Sequence, residues 1–458
     1  MHQPEKLPLW KKIMYALGQF GWALASYAPG NLLVYFYLPP ETGAQPLFPS
    51  FIFQGAILGV LTIIGLAFAF GRMFDAVTDP LVAGLSDRSK SRLGKRKSFM
   101  TYAVAPFALL SALIFLPLTP MESSLNAVWV FATVIVYYWF MTMYVTPYFS
   151  WVSELGRNPR ERLFLSTLIS ITWALGTMVG TQVYGIQSAL ETLGIPSVQA
   201  FQYTVGGFAL IGFIFMLFPV IFINEKKYGH PEIVDEPIME SLKSCFKNRD
   251  FLKFTLSDLA YFVALTVAWT GLVYYVTILL KLPKEFASTM QMVLFLLSFA
   301  FYLPVNFLAQ KFGKKIMLMV AFPLFMLVYV LAFFLGWMPI SPELQAWLVV
   351  IVLSLPLSIF AILPNAIVAD ISEADALDTG NRRAAMFFGA RTFMQKMGQS
   401  IGGLMFPSLL LLGATQEQSW GVRLTALAAF LFLGAGWIIF SRYNETRILN
   451  SLKAGGQG

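Results

Sequence analysis

The stretch GRMFDAVTDPLVAGLSDRSKSRLGKRK, Gly71 to Lys97, carries two signals side by side. Its first part sets Arg72, Asp75 and Asp79 inside an apolar run. Its last part packs six Lys and Arg into ten positions, from Arg88 to Lys97. Asp75 and Asp79 are four apart, so on a helix they share a face. Pro80 follows at once; it removes a backbone donor and disfavours a helical Asp79. Two acids on one face beside a disturbed backbone can bind a cation or relay a proton.

The rest of the chain supplies the setting. Its 458 residues are 57% hydrophobic and 12% charged, with mean hydropathy +0.67. Soluble domains carry about 25% charged residues, and a soluble α-protein cannot hide this much apolar surface. Apolar runs of about 20 residues without alternation predict spanning helices, not barrel strands. The fold class is therefore an all-α membrane protein. The net charge of +8 belongs to loops and not to a soluble basic domain, which argues against a nucleic-acid partner. Cys245 is the only cysteine, and His2 and His230 both lie in polar segments. No disulfide framework, zinc site or buried histidine relay follows. No phosphate loop or nucleophile elbow is present, so no enzyme and no cofactor is expected. The run after Lys12 reads as a retained span and not as a cleavable signal.

Working outward from Gly71, twelve spans are predicted: 13–38, 51–85, 99–118, 126–149, 163–186, 201–223, 251–280, 286–310, 315–336, 344–369, 386–412 and 420–440. They divide into a first six-helix half (1–224), a polar cytoplasmic linker with a surface helix (225–250), and a second half with a short cytoplasmic tail (251–458). With the N-terminus inside, the 32 Lys and Arg fall on inside segments with six exceptions. Lys281, Lys284 and Arg423 lie outside; Arg72, Arg391 and Lys396 lie at membrane depth. That asymmetry predicts both termini in the cytoplasm. A repeat supports two pseudo-symmetric halves. Leu93-Gly-Lys-Arg-Lys97 is echoed by Phe312-Gly-Lys-Lys315, with the two glycines 219 residues apart. Pro147 is echoed by Pro364, 217 residues later.

Charges at membrane depth are costly and mark pathways. With the second span ending near Ser86, Asp79 and Asp75 lie roughly 10–16 Å inside. Arg72, three residues before Asp75, can pair with it. The acids then form either a cation site or an ion-pair latch. Lys396 sits about 15 Å into the eleventh span and needs a carboxylate or a hydrogen-bonding substrate. Arg391, five residues earlier, either lines the cavity or reaches the cytoplasmic face. Arg157, Arg160 and Arg162 in the first half, and Asp370, Glu373, Asp375 and Asp378 in the second, can close a cytoplasmic gate or form solvated charge runs. Glycines at four-residue spacing, Gly55–Gly59, Gly176–Gly180 and Gly398–Gly402, suit close helix packing.

The motif Arg72-Met-Phe-Asp75-Ala-Val-Thr78-Asp79-Pro80, followed by Ser91-Arg-Leu-Gly-Lys95, resembles the span-two signature of the glycoside–pentoside–hexuronide:cation symporters of the major facilitator superfamily. Pro147-Tyr-Phe-Ser150, Arg160-Glu-Arg162, Val368-Ala-Asp370-Ile371 and Lys396 extend the resemblance to both halves. The resemblance implies a twelve-helix major facilitator fold. It also implies Na⁺ or H⁺ coupling through Asp75 and Asp79 as the metal-ion ligands, with Thr142 in the site and Thr78 where the family has Asn. The family's span-eleven lysine corresponds to Lys396. Its two sugar-binding carboxylates, in spans one and four, fall at Ala23 and Val145, and its span-ten tryptophan falls at Ala361. A galactoside pocket is therefore not carried over. A related group, the lysolipid symporters, is similar in span two and at the lysine.

The expectation is a monomeric symporter in a plasma membrane, taken as a bacterial inner membrane. It couples a monovalent cation to uptake of a glycoside, pentoside or hexuronide. The alternatives are a symporter for a lysolipid or another anionic amphiphile, and a non-transporting membrane sensor on the same fold.

Overall fold

A computed structural model describes residues 6–41, 47–57, 59–156, 159–228, 245–380 and 384–455. Among these there is no strand, only two isolated bridges. The helices are α1 (Leu9–Asn31), α2 (Leu33–Tyr37), α3 (Ile63–Asp87), α4 (Lys95–Leu113), α5 (Ser124–Leu155), α6 (Pro159–Gly180), α7 (Val183–Thr192), α8 (Ser197–Phe222) and α9 (Glu225–Tyr228). Then follow α10 (Arg249–Tyr274), continued by a π-turn over Tyr275–Leu279, and α11 (Glu285–Phe312), α12 (Lys314–Phe334), α13 (Pro342–Thr379), α14 (Ala384–Leu410), α15 (Trp420–Ser441) and α16 (Glu445–Gly455). In lipid a helix satisfies its own backbone groups, which is why apolar runs of this length become helices.

Among the described residues, eight segments are long and apolar enough to cross a membrane. The other four expected spans coincide with α1, α3, α4 and α14, helices of 23, 25, 19 and 27 residues. Of these, α3 carries Arg72, Asp75 and Asp79 inside its apolar run.

The second expected span is shorter than its apolar content suggests. The helix begins at Ile63 and not near Phe51. Thr62 caps it, accepting a hydrogen bond from the Gly65 backbone N–H at 3.1 Å. Gly59 upstream takes φ +86°, a left-handed value that breaks a helix. Gly55 and Gly59 therefore do not form a helix-packing pair. The other two glycine pairs do. A Cβ on Gly176 would lie 2.7 Å from the Phe20 carbonyl, and one on Gly398 would lie 2.6 Å from that of Leu259. α6 thus packs directly on the α1 backbone, and α14 on that of α10. The expected surface helix of the linker falls largely on residues outside those described; Glu225–Tyr228 is one helical turn.

The chain forms two compact units, one mainly Thr62–Val234 with the N-terminal segments, the other mainly Asp235–Gly458. Each repeats one packing plan. In the first, α1 lies against α6 and α8, and α5 against α3 and α4. In the second, α10 lies against α14 and α15, and α13 against α11 and α12. Tyr15 and Tyr148 stitch α1 to α5, each hydroxyl donating to the other residue's backbone carbonyl.

The loops that echo each other in sequence also share a structural device. Glu225 accepts from the backbone N–H groups of Arg96 (3.1 Å) and Lys97 (2.8 Å) at the start of α4. Glu445 accepts from those of Lys314 (2.9 Å) and Lys315 (3.2 Å) at the start of α12. A carboxylate here satisfies orphan donors and sits at the positive end of the helix dipole. Gly94 and Gly313 precede the two helices at φ +115° and +90°, clearing room for the acid. Beside the first cap, Glu154 pairs with Lys95 and Arg96, both at 3.1 Å.

Candidate cation and substrate sites

In the first unit α3 runs unbroken through Pro80. Pro80 cannot donate to the Ala76 carbonyl, so the helix continues with one ladder bond missing. Asp75 is fully buried, and its Oδ1 accepts a hydrogen bond from Thr142 Oγ1 at 2.7 Å. Thr142 Oγ1 lies 3.3 Å from Thr78 Oγ1. One turn along, Asp79 Oδ1 accepts from Thr146 Oγ1 at 3.1 Å. Asp75 and Asp79 on α3 therefore face Thr142 and Thr146 on α5 as two rungs, each set by four-residue spacing. Carboxylate and hydroxyl oxygens are hard donors, the set that alkali cations and protons prefer. Arg72 lies with its guanidinium 5.3 Å from the Tyr138 ring centre and 5.7 Å from that of Phe68. Its buried Nε has no hydrogen-bond partner among the described residues.

The second unit has a different centre. Arg391 is buried on α14. Its Nε donates to Asp258 Oδ2 at 2.8 Å and its Nη2 to Asp258 Oδ1 at 3.4 Å. Its Nη1 donates to Asn365 Oδ1 at 2.6 Å. Asp258 on α10 is 3% exposed, so the pair is shielded from solvent on both sides. Arg391 thus reaches α10 and α13 within its own unit. Lys396 follows on the same helix, half-buried.

Thr146, Asp258 and Asn365 escape the reading of the sequence. Thr146 is one turn from Thr142, and the four-residue spacing of the acids is the clue to it. Asp258 is an acid nine residues into the apolar α10, as conspicuous as Lys396 once acids as well as bases are sought at membrane depth.

Arg157 lies outside the described residues, as does the side chain of Arg160. Arg162 Nε donates to the Gly156 carbonyl at 3.0 Å. In the second unit Asp370 pairs with Lys314. Asp375 accepts from Asn248 Nδ2 at 3.2 Å, and Asp378 lies 3.8 Å from Arg447. Glu373 is exposed.

Comparison with known proteins places the chain among transporters. Residues 14–441 match the family described as MFS/sugar transport protein. An uncharacterized symporter of Synechocystis sp. is 24% identical, covering 98% of this chain and 96% of that protein. The isoprimeverose transporter of Lactiplantibacillus pentosus is 22% identical over 59% of this chain and 53% of its own length. The sodium-dependent lysophosphatidylcholine symporter 1 of Gallus gallus is 22% identical over 96% and 87%. Among solved structures, a nucleoside transporter superposes with a TM-score of 0.67 at 13% identity, covering 95% of this chain and all of that one. That likeness speaks for the fold alone.

Proposed function

The chain belongs to the MFS/sugar transport family, and on that premise we propose that it is a cation-coupled symporter importing a sugar-type solute by alternating access. It is a transporter and not an enzyme. The observation that carries the coupling is the pair of rungs, Asp75 with Thr142 and Thr78, and Asp79 with Thr146. Carboxylates and hydroxyls together offer the hard oxygen ligands that a monovalent cation or a proton takes. Na⁺ or H⁺ is the coupling ion, and Thr78 completes the oxygen set.

The reading includes twelve spans in a bacterial inner membrane with both termini in the cytoplasm, an orientation that the positive loops support. Lys396 and Arg391 are the basic residues of the second unit assigned to substrate and coupling, and Arg72 supports the acids from its place between aromatic rings. The arginines 157, 160 and 162 and the acids 370, 373 and 375 are assigned to the cytoplasmic gate.

A glycoside or pentoside is the favoured cargo. Arg391 argues little for an anionic cargo, because Asp258 matches its charge. The lysolipid alternative draws support from the full-length similarity to the lysophosphatidylcholine symporter. Uptake into membrane vesicles decides between them: neutral glycosides, hexuronides and lysophosphatidylcholine are offered under imposed Na⁺ or pH gradients. Accumulation of a neutral sugar that collapses with the ion gradient is the expected result. Accumulation of lysophosphatidylcholine alone would replace the sugar reading, and no gradient-dependent uptake of any probe would reject symport.

A further inference from the structure

We propose that Asp258, Arg391 and Asn365 form a hydroxyl-recognition subsite in the second unit, one that selects an uncharged polyhydroxy substrate. The inference rests on the sugar-symport reading and names the residues that would discriminate within it.

Three features carry it. The first is unused hydrogen-bonding capacity. A guanidinium has five N–H donors, and the contacts to Asp258 and Asn365 occupy three. One N–H on Nη1 and one on Nη2 have no hydrogen-bond partner among the described residues. The Asp258 carboxylate, with about four lone-pair positions, accepts two of those bonds and keeps acceptor capacity beside the same guanidinium. Donors and acceptors set side by side match adjacent hydroxyl groups, each of which both donates and accepts.

The second feature is charge. The pair is neutral overall, and its side chains are only 8% and 2% exposed. An uncharged polyol adds hydrogen bonds there without an uncompensated charge. An anion would share the guanidinium with a carboxylate already bound to it, and would leave negative charge in excess in a shielded place.

The third is access. Asn365, which holds Nη1, is exposed although it lies in the apolar part of α13. It belongs to an exposed stripe at four-residue spacing, Ala361, Asn365, Ala369 and Glu373. Elsewhere α13 exposes large apolar residues such as Leu344 and Ile351, each 59% exposed, which suit lipid. A stripe of small and polar residues suits water and solute, since a lipid-facing amide is costly. Asn365 is thus an accessible amide with the buried pair directly behind it.

The test uses the full-length protein in proteoliposomes, with methyl xyloside and methyl glucoside as neutral probes and glucuronate as the acidic one. Asn365→Ala should raise the KM for the neutral glycosides about three- to tenfold, the worth of one neutral hydrogen bond. The double variant Asp258→Asn with Arg391→Gln strands no buried charge, so it keeps the fold; its KM for neutral glycosides should rise at least tenfold. Asp258→Asn alone frees the guanidinium charge and should shift the preference between methyl glucoside and glucuronate toward glucuronate. The proposal is overturned if all three variants slow neutral and acidic probes by one common factor with KM unchanged, because the pair then only braces the helices. Failure of the underlying reading shows separately, in the wild type: if it takes up no neutral sugar under either gradient, the sugar reading and this subsite fall together.

Discussion

The two units share a scaffold and differ at their centres. At the loop ends the resemblance is close: Glu225 caps α4 and Glu445 caps α12, each behind a glycine of positive φ. In the interior, the acids of α3 are met by threonine hydroxyls of α5, whereas the acid of α10 is met by a guanidinium of α14. The difference has a physical consequence. Hydroxyl partners bring oxygen donors to a carboxylate without adding positive charge of their own. A carboxylate matched by arginine cannot take up a cation without leaving the arginine uncompensated. One plan of helix packing therefore carries hydroxyl-lined acids in one unit and a charge-matched pair in the other.

Breaking the fixed pair should have the largest effect on stability. Arg391→Ala leaves Asp258 buried without its partner and should cost about 3–5 kcal/mol. A large fall in the thermal unfolding temperature of the detergent-solubilised protein would show it, with partial recovery on adding Asp258→Asn. Next come the glycines before the capped helices. An alanine at either is strained by its backbone angle, roughly 1–3 kcal/mol. The effect should be greater at Gly94, where a Cβ would lie 2.2 Å from Glu225 Oε2, than at Gly313, where the gap to Glu445 Oε2 is 3.0 Å. Equal losses would show that the two caps give way alike. Glu225→Gln and Glu445→Gln should each lower stability by about 1 kcal/mol, since the amide oxygen still accepts while the charge at the helix dipole is gone. A clear inequality between them would reveal that the loop ends are less alike than their geometry. Smallest in stability is Thr146→Val, about 0.5–1.5 kcal/mol for one hydrogen bond. Its sharper readout is a rise in the cation concentration needed for half-maximal uptake.

The sequence discloses this scaffold readily, because helix length, loop charge and glycine punctuation are local properties. The cation rungs are half legible: Asp75 and Asp79 stand out as charges in an apolar run and the family resemblance adds Thr142, but Thr146 lies 67 residues from Asp79 and only packing brings it in. The Asp258–Arg391 pair is hidden for the same reason, its members being 133 residues apart. The early start assigned to the second span has a different origin. Hydropathy registers the apolar side chains of residues 51–62 but not the backbone angle at Gly59 or the cap at Thr62.

The central claim, that the hydroxyl-lined acids couple transport to a cation, is tested most directly by comparing Asp75→Asn with the wild type in vesicles under an imposed Na⁺ or pH gradient. Thr142 can still donate to the amide oxygen, so the variant should insert and fold. The account predicts that it loses gradient-driven accumulation of the neutral glycoside that the wild type concentrates. Accumulation at the wild-type level, with the same dependence on the gradient, would contradict it.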